Sequence, residues 1–258
     1  MLDDYVSVIM STRDPLQEHT QAAVQHLQRS TAAYELILLN RNRSWTTGTI
    51  VNQGIHASIG DHIVFLCDDC FIEPTALEEM KKVLEDREVG VVGAILKYPD
   101  GKVQHAGGKF ESRIKDDSVL ELRVSHYGKD LELLDSLGTE YDFVTGAFMM
   151  TRRDVIEDIG GYDPDCEISW GDVDFCFRAK RAGYKIALAR EAHAVHLEGT
   201  TRNSMIFVKQ AELRGIKWFL DKWGRTEFVA QLEPEEGVHF FVGAGIKNDD
   251  ATLTKLGG

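Results

Sequence analysis

Cysteine, proline and basic side chains are scarce in this chain of 258 residues, which has 4 Cys, 5 Pro and 29 Lys plus Arg against 42 Asp plus Glu. The formal charge of −13 argues against a nucleic-acid backbone as the main partner and against a basic helix on a membrane surface. An anionic ligand would therefore have to bind through a local source of positive charge, such as a metal ion or a helix N-terminus.

Long apolar runs are also missing. No run approaches the roughly 20 residues that a membrane-spanning helix needs, and the acidic start MLDDY lacks the regions of a signal peptide. We therefore expect a soluble, cytoplasmic protein without a transmembrane segment, a location that also permits peripheral attachment to the inner face of a membrane. With 43% hydrophobic residues, the chain can bury a sizeable core and fold unaided.

The four cysteines lack the spacing of a zinc finger. Cys67 and Cys70 form one C-x-x-C pair, but Cys67 ends an apolar, strand-like run, and Cys166 and Cys176 are ten residues apart. The pattern favours ordinary reduced core cysteines over a disulfide or a zinc site.

The first hundred residues alternate between strand and helix periods. YVSVIMS, YELILLN, HIVFLC and VGVVGAIL are strand-like, and between them we predict a first helix, a second over Thr47 to Ser58 and a third opened by Pro74. Short apolar runs separated by helices are typical of parallel strands covered on both faces. The expected fold class is α/β, with a Rossmann-like, mostly parallel central sheet. The inward face of the first helix is predicted to consist of Leu16, Thr20, Ala23, Val24 and Leu27.

The second half of the chain is less regular. KYPDGKVQHAGG has Pro-Asp-Gly turn chemistry and predicts a hairpin or loop, and residues 109 to 140 are predicted to form an irregular insertion that could order over a ligand. YDFVTGAFMMT and YKIALA predict strands, and RRDVIEDIGG predicts a short helix stopped by two glycines. Further helices are expected from about Gly171 to Ala182 and from Ser204 to Trp223.

Asp68 and Asp69 directly follow the strand-like HIVFLC. Ligands of open α/β sheets bind at the carboxyl ends of strands, and a divalent ion such as Mg²⁺ or Mn²⁺ would offset two adjacent carboxylates. The alternative interpretation is a turn or an N-cap, since acids after strands commonly form both.

The stretch EISWGDVDFCFRAKRAGY places Asp172 and Asp174 shortly after Trp170, at a predicted helix start. A helix N-terminus favours negative charge, so capping explains one acid, and from spacing alone capping and catalysis stay equal alternatives. The helix is predicted to bury Val173, Cys176 and Phe177, and to leave Arg178, Lys180 and Arg181 solvated.

Two histidines, His193 and His196, end a predicted strand in AHAVHLEGT. They lie on opposite faces if the strand continues, so one of them could reach a site. A purely structural histidine is the alternative.

In their order, VTGAFMMTRRDVIEDIGGYDPD, WGDVDFCFRAKRAGY and the following strand that ends in His196 resemble the pattern of glycosyltransferase family 2 on the GT-A fold. The resemblance runs from about Tyr5 to about Arg202, and YPDGKVQHAGG and KWFLDKWG are similar to segments of bacterial polysaccharide and rhamnosyl-type transferases. It implies an enzyme that moves a sugar from a UDP-, dTDP- or GDP-sugar to a hydroxyl of a saccharide or lipid-linked acceptor, usually with inversion and with Mn²⁺ or Mg²⁺.

The resemblance also implies roles for individual residues. Asp69 matches the last acid of the D-x-D motif, a metal ligand, and His196 matches the histidine that completes the metal site. Asp172 matches the general base. Contacts with the donor nucleotide are implied for Thr12, Arg13, Asn40, Asp68 and Asp69. On the acceptor side the implied residues are Thr145, Gly146, Trp170 and Asp174, the last as a support that orients the loop or binds Arg178.

Two positions depart from the family pattern. Cys67 stands at the first acid of D-x-D, so the ribose or metal contact expected there falls to Asp68 or water. Asn40 stands where an acid usually contacts the nucleobase, although an amide can still hydrogen-bond a base edge. These departures keep a second hypothesis open, a catalytically idle nucleotide-sugar-binding or scaffold protein of the same fold. A nucleotidyltransferase is a weaker third hypothesis, because STRDPLQEH has no glycine for a phosphate loop.

The expected domain organisation is one GT-A domain over residues 1–232. It consists of a nucleotide-binding half over 1–100 and an acceptor and metal half over 101–232, which includes a smaller antiparallel or irregular part. An acidic, glycine-containing C-terminal tail is expected over 233–258, with a loose ending at KLGG.

Overall fold

The computed structural model describes residues 2–41, 45–112, 119–124, 140–197, 206–223, 227–232 and 239–243. The strands in these ranges are β1 (Leu2–Thr12), β2 (Tyr34–Asn40), β3 (Gly60–Cys67), β4 (Cys70–Ile72), β5 (Val89–Lys97), β6 (Val103–His105), β7 (Gly108–Ser112), β8 (Val119–Val124), β9 (Phe148–Arg152), β10 (Lys185–His196), β11 (Glu227–Leu232) and β12 (His239–Gly243). The helices are α1 (Glu18–Leu27), α2 (Thr47–Ala57), α3 (Ala76–Leu84), α4 (Arg153–Ile159), α5 (Gly171–Arg181) and α6 (Ile206–Lys222).

The central sheet has eight strands, in the order β2-β1-β3-β9-β5-β10-β4 with β6 paired to β5. Strands β1, β2 and β3 are mutually parallel, and β10 is parallel to β5. Strand β9 lies antiparallel between β3 and β5. The predicted α/β class is thus confirmed. The sheet is mixed, since β1, β2, β3, β5 and β10 run in one direction and β4, β6 and β9 are antiparallel to their neighbours.

Side chains alternate across this sheet, as the strand period requires. On β1, Val8 and Met10 face a core cluster that also contains the inward residues of α1 and α3, whereas Ile9 faces a second cluster shared with α2, α4 and α5. Phe65 of β3 faces the second cluster, and its neighbour Leu66 faces the first. Helices therefore cover both faces.

The predicted strand over YDFVTGAFMMT is wrong in its first half. Ladder pairing with β3 begins only at Phe148. The N–H groups of Thr145 and Gly146 instead donate to the side chains of His105 and Asp172. Side chains thus satisfy the backbone of Thr145 and Gly146. The chain makes only isolated bridges earlier in this stretch, from Tyr141 to Ile186 and from Phe143 to Gly108, before it enters the ladder at β9.

The predicted hairpin over KYPDGKVQHAGG is confirmed. Tyr98 N–H donates to the carbonyl oxygen of Lys102 at 2.8 Å, and Gly101 has a φ of +90°, which favours glycine. Beyond β6, Gly108 N–H donates to Phe143 O at 3.0 Å, and Asp142 N–H donates to Gly108 O at 2.8 Å. This paired neck joins the two ends of the segment that spans residues 109–141.

A second sheet of four strands has the order β12-β11-β8-β7. It includes β7 and β8 from the predicted irregular insertion over 109–140, and β12 from the predicted C-terminal tail. The prediction that the insertion is irregular is wrong in β7 and β8 because these strands pair with each other and β8 pairs with β11, whereas the predicted loose ending KLGG lies outside the described residues. The rest of the insertion and of the tail lies outside the described residues.

The predicted helices agree with the structure to within a few residues, except at the start of α1. Leu16 is outside the helix and 76% exposed. Its N–H donates to Oδ1 of Asp14 at 2.9 Å, a local turn that competes with helix formation. In the described parts of the chain, every helix is too short or too polar to cross a membrane.

Candidate functional site

Asp69 and His196 meet at one edge of the central sheet. Asp69 follows β3 and is buried, and its Oδ1 lies 3.1 Å from Nε2 of His196, the last residue of β10. The antiparallel pairing of β4 with β10 sets this meeting, since Cys70 is in register with His196, and Leu197 N–H donates to Asp69 O at 3.1 Å. The structure thus brings the two predicted metal ligands together.

Gln104 of β6 orients the ring of His196. Its amide nitrogen donates to the carbonyl oxygen of His196 at 3.2 Å, and its Oε1 lies 2.6 Å from Nδ1. An amide oxygen only accepts, so Nδ1 carries the hydrogen and Nε2 presents a lone pair towards Asp69. Nε2 of His196 and Oδ1 of Asp69 are then two facing acceptors, which require a proton or a cation between them. A hydrogen bond such as the one from Nδ1 to Gln104 is how outer groups orient a metal-binding histidine.

Cys67 is the third member of this cluster. Its Sγ, one carboxylate oxygen of Asp69 and one ring nitrogen of His196 all lie within 4.8 Å of one another. Thiolate, carboxylate and imidazole all bind divalent transition metals, so the three residues fit such an ion. We call them the C-D-H cluster. The expectation that Asp68 or water supplies the contact of the first acid stays a prediction, and the position of Cys67 adds its thiol as a further candidate.

Asp68 points to a different place. It accepts a hydrogen bond from Oγ1 of Thr20 at 3.2 Å and lies 3.7 Å from Nε2 of His19, both on α1. Thr12, predicted to contact the donor, is buried, with its hydroxyl 3.2 Å from that of Thr20. The two adjacent carboxylates thus diverge and have separate partners, which corrects the argument that they need one shared cation.

Arg13 and Asn40 are exposed beside the ends of β1 and β2, and Asn40 is in register with Thr12. A further cation, Arg41, was missed by the sequence analysis. Its guanidinium donates to Glu167 O at 3.0 Å, and burial, followed by the charge of Arg13, lowers the pKa of Arg41. The run of arginines in LLNRNRS was the available signal for it.

Asp172 is held by two backbone donors. Its Oδ2 accepts from Gly146 N–H at 2.7 Å, and its Oδ1 accepts from Val173 N–H at 2.9 Å. A Cβ on Gly146 would lie 3.0 Å from Cβ of Asp172 and 3.0 Å from the hydroxyl of Tyr162. Each carboxylate oxygen keeps a lone pair for another donor.

The start of α5 shows how Asp172 takes part in the helix cap, and its catalytic role stays a prediction. The N-cap position is taken by Trp170, which has a φ of +75° and makes no side-chain cap hydrogen bond. Asp172 accepts one N–H of the first turn, and the helix thereby fixes the orientation of its carboxylate. Trp170 itself packs on Phe219 of α6, with ring centroids 5.1 Å apart.

Residues 145–147 connect Asp172 to the C-D-H cluster, and we call them the 145–147 turn. Thr145 N–H donates to Nε2 of His105 at 3.2 Å, and Ala147 O accepts from Cys67 N–H at 2.9 Å. Burial, and then the charge of His196, lowers the pKa of His105 to about 4, so its neutral ring can accept this bond. Gln104 and His105 were not identified from the sequence, although both lie in the family-like segment YPDGKVQHAGG.

Asp174 has a purely internal environment. It is fully buried and accepts from Nε of Arg178 at 2.9 Å and from Nε1 of Trp223 at 3.0 Å, and Nζ of Lys222 lies 2.8 Å away. The predicted contact with Arg178 is confirmed, and the prediction that Arg178 is solvated is wrong. Its guanidinium also donates to the carbonyl oxygens that end α4 and follow it.

The N-terminus of α2 is occupied by the chain itself. Thr47 N–H donates to Glu167 O at 2.8 Å, and Gly48 N–H donates to Cys166 O at 3.0 Å. This helix end is therefore not open to an anionic ligand, although helix N-termini in general are anion sites.

Comparisons with known proteins identify the family and the fold of the chain. Residues 4–216 match the family model described as "Glycosyltransferase like family 2". The uncharacterised protein y4gI of Sinorhizobium fredii is 29% identical over 168 residues, which are 64% of this chain and 18% of that protein. The O-antigen chain rhamnosyltransferase WbaN of Salmonella anatum is 26% identical over 178 residues, 67% of this chain and 52% of that protein. The chain thus spans about half or less of the length of these relatives.

Among solved structures, the mannosyltransferase PcManGT of Pyrobaculum calidifontis, in complex with GDP-Man and Mn²⁺, superposes with a TM-score of 0.58 at 14% identity. The superposition covers 84% of this chain and 63% of PcManGT. At this identity, the likeness is one of fold.

Proposed function

The chain belongs to glycosyltransferase family 2 and has the GT-A fold, and from that premise we propose that it transfers a sugar from a nucleotide diphosphate sugar to an acceptor hydroxyl with inversion. Asp172 is the general base of this proposal, and Asp69 and His196 hold a divalent metal ion. The observation that carries the proposal is the fixed carboxylate of Asp172, which the 145–147 turn links to the strand end that carries the C-D-H cluster.

The chemistry needs a base on the acceptor side. The acceptor oxygen attacks the anomeric carbon while the bond from that carbon to the diphosphate oxygen breaks, and the hydroxyl proton passes to a carboxylate within hydrogen-bond reach. Asp172 fits this role because its orientation is fixed by Gly146 and Val173, while lone pairs remain for the hydroxyl. Trp170 and Thr145, which adjoin Asp172, are the proposed acceptor-side contacts.

The donor side is proposed to depend on metal. In an acidic chain, a bound Mn²⁺ or Mg²⁺ would supply Lewis-acid stabilisation to the leaving diphosphate. Support comes from the C-D-H cluster and from PcManGT, which was solved with GDP-Man and Mn²⁺. Arg13, Asn40 and Asp68 are the proposed nucleotide contacts. A saccharide or lipid-linked acceptor is proposed because WbaN is named as an O-antigen chain rhamnosyltransferase.

The test is the substitution Asp172→Asn, assayed with the donor that a screen of UDP-, dTDP- and GDP-sugars identifies. We expect turnover to fall by about 10²-fold to 10⁴-fold, the usual contribution of a general base, while the donor dissociation constant stays within about twofold because the lost charge faces the acceptor. Asp165→Asn is the matched control, since Asp165 is an exposed acid of the preceding loop. Unchanged turnover in Asp172→Asn would contradict the assignment of the base.

A further inference from the structure

Cys67 has a fixed position at the proposed metal site. Its backbone is held on both sides, by pairing with Ser11 of β1 and by its N–H bond to Ala147 O at 2.9 Å. The side chain is half-buried, at the end of a central strand of the sheet. The sulfur therefore faces the metal site from the rigid part of the fold.

The spacing of the cluster suits a single ion. Metal–ligand bonds of about 2.0 to 2.3 Å keep two ligand atoms of one ion about 3 to 4 Å apart. The oxygen of Asp69 and the nitrogen of His196 are already 3.1 Å apart, and the widest separation that includes Sγ of Cys67 is within 4.8 Å. A rotation of the Cys67 side chain that moves Sγ by about 1 Å would bring all three atoms within the spacing of ligands of one ion.

The identity of the third ligand decides which ion is preferred. Oxygen ligands suit Mg²⁺ and Mn²⁺, whereas thiolate and imidazole suit Co²⁺ and Zn²⁺. We propose that Cys67 is a thiolate ligand of the metal held by Asp69 and His196, and that the site therefore prefers Co²⁺ or Zn²⁺ to Mg²⁺. This inference rests on the metal site of the proposed function. On binding, the Sγ–metal bond forms as the thiol proton passes to solvent.

Cobalt absorption tests the proposal without any sugar transfer. Co²⁺ is titrated into the metal-free chain, and the near-ultraviolet charge-transfer absorption from thiolate to cobalt is recorded, while calorimetry measures binding. The wild-type chain is expected to show the band and to bind Co²⁺ more tightly than Mg²⁺. In Cys67→Ser the band is expected to disappear and Co²⁺ affinity to fall by about 10-fold to 100-fold.

Cys70→Ala is the matched control, because Cys70 is three residues away, fully buried among apolar side chains, and outside the C-D-H cluster. It is expected to keep the band. Cys67→Asp restores the carboxylate and is expected to shift the preference towards Mg²⁺ and Mn²⁺ without a band. Thermal melts in chelator establish that each variant is folded. If a variant does not fold, the spectrum of the wild-type chain decides the question by itself.

Cobalt bound without the band, no cobalt binding, or a band that persists in Cys67→Ser would each overturn the ligand role of Cys67. The transferase proposal is judged separately, by transfer in the presence of Mn²⁺. Transfer without the band would overturn only the role of Cys67, and a band without transfer from any donor would support that role while contradicting the transferase.

Discussion

Asp172 and Asp174 are two residues apart on α5 and have opposite environments. Asp172 is partly exposed, and among the described residues its hydrogen-bond donors are backbone N–H groups, whereas Asp174 is fully buried among Arg178, Lys222 and Trp223. The helix period separates them, since residues two apart point in different directions. One carboxylate is thus partly exposed, as the proposed base must be, and the other joins α5 to α6.

We expect Asp174→Asn to destabilise the fold by about 3 kcal/mol. Loss of the charge leaves the partly buried cation of Arg178 without the carboxylate it pairs with, whereas Lys222 keeps its ion pair with Asp163. Breaking one partner of a buried pair has this order of cost. Urea unfolding measures the change. Asp172→Asn, with the same chemistry on a more exposed side chain, is expected to lose less than about 1 kcal/mol, and equal losses would contradict the structural role of Asp174.

His105 is expected to give the free energy of unfolding a defined pH dependence. The folded chain has a His105 pKa of about 4, against about 6.5 for an unfolded histidine. Between these values the unfolded state binds more protons, so the free energy of unfolding falls as pH drops from about 6.5 to 4. The full effect is about 3 kcal/mol, because each pKa unit corresponds to about 1.4 kcal/mol.

His105→Gln tests this expectation, since the amide oxygen can accept from Thr145 N–H as Nε2 does and does not titrate. The free energy of unfolding is measured in urea at several pH values. Between pH 7 and pH 4 the wild-type chain should lose about 3 kcal/mol more of it than the variant does. A difference that is constant over this range would show that His105 is protonated equally in both states.

At the scale of elements, α2 and the loop before α5 dock through Gly48. An added Cβ there would lie 1.8 Å from the carbonyl oxygen of Asp163, which is far inside van der Waals contact distance. The loop that Gly48 supports runs through Cys166 and Glu167, whose carbonyl oxygens receive the first N–H groups of α2, and leads to Trp170 and Asp172. The start of α2 therefore positions the proposed base from a distance.

We expect Gly48→Ala to lower stability by about 2 kcal/mol or more, as overpacked sites do, although alanine is the better helix former. Turnover should fall as well, because the loop before Asp172 must shift. Thermal melting and a transfer assay measure the two effects. Gln53→Ala, at an exposed position of the same helix, is the control, and a Gly48→Ala protein as stable and active as that control would contradict the docking argument.

The periodic elements could be predicted from the sequence, and the contacts between loops could not. The parallel strands and α5 follow from apolar spacing, which reports the environment within one element. The contact of Gly146 with Asp172 joins the turn before β9 to the first turn of α5, 26 residues away in sequence. Cys67 was interpreted as an ordinary core residue because its strand-like run gives no sign of Asp69 and His196 beside it in space.

At the scale of the whole molecule, the net charge is −13, so we expect the binding of an anionic donor to depend on cations. A diphosphate approaching an acidic chain is repelled, and the ion proposed at the C-D-H cluster would compensate for this repulsion. We expect a matching donor at about 100 times its dissociation constant to stabilise the chain by about 2.7 kcal/mol in Mn²⁺. This corresponds to a rise in melting temperature of about 5 °C or more.

The same donor in chelator is expected to give little or no rise, and Asp69→Asn should behave in Mn²⁺ as wild type does in chelator. Asp165→Asn, an exposed acid outside the cluster, should keep the full rise. An equal rise with and without metal would contradict the metal dependence. A full rise in Mn²⁺ with no transfer to any acceptor would favour the idle, nucleotide-sugar-binding hypothesis.

The paired neck of Gly108 with Asp142 and Phe143 has a consequence for how such a protein can diversify. Both ends of residues 109–141 are fixed to each other beside the 145–147 turn, so the intervening chain can change in length and composition at little cost to the central sheet. This stretch can therefore be replaced during evolution without a change in the rest of the fold. New acceptors could then be recruited by exchanging it, with the proposed base Asp172 and the proposed metal ligands left in place.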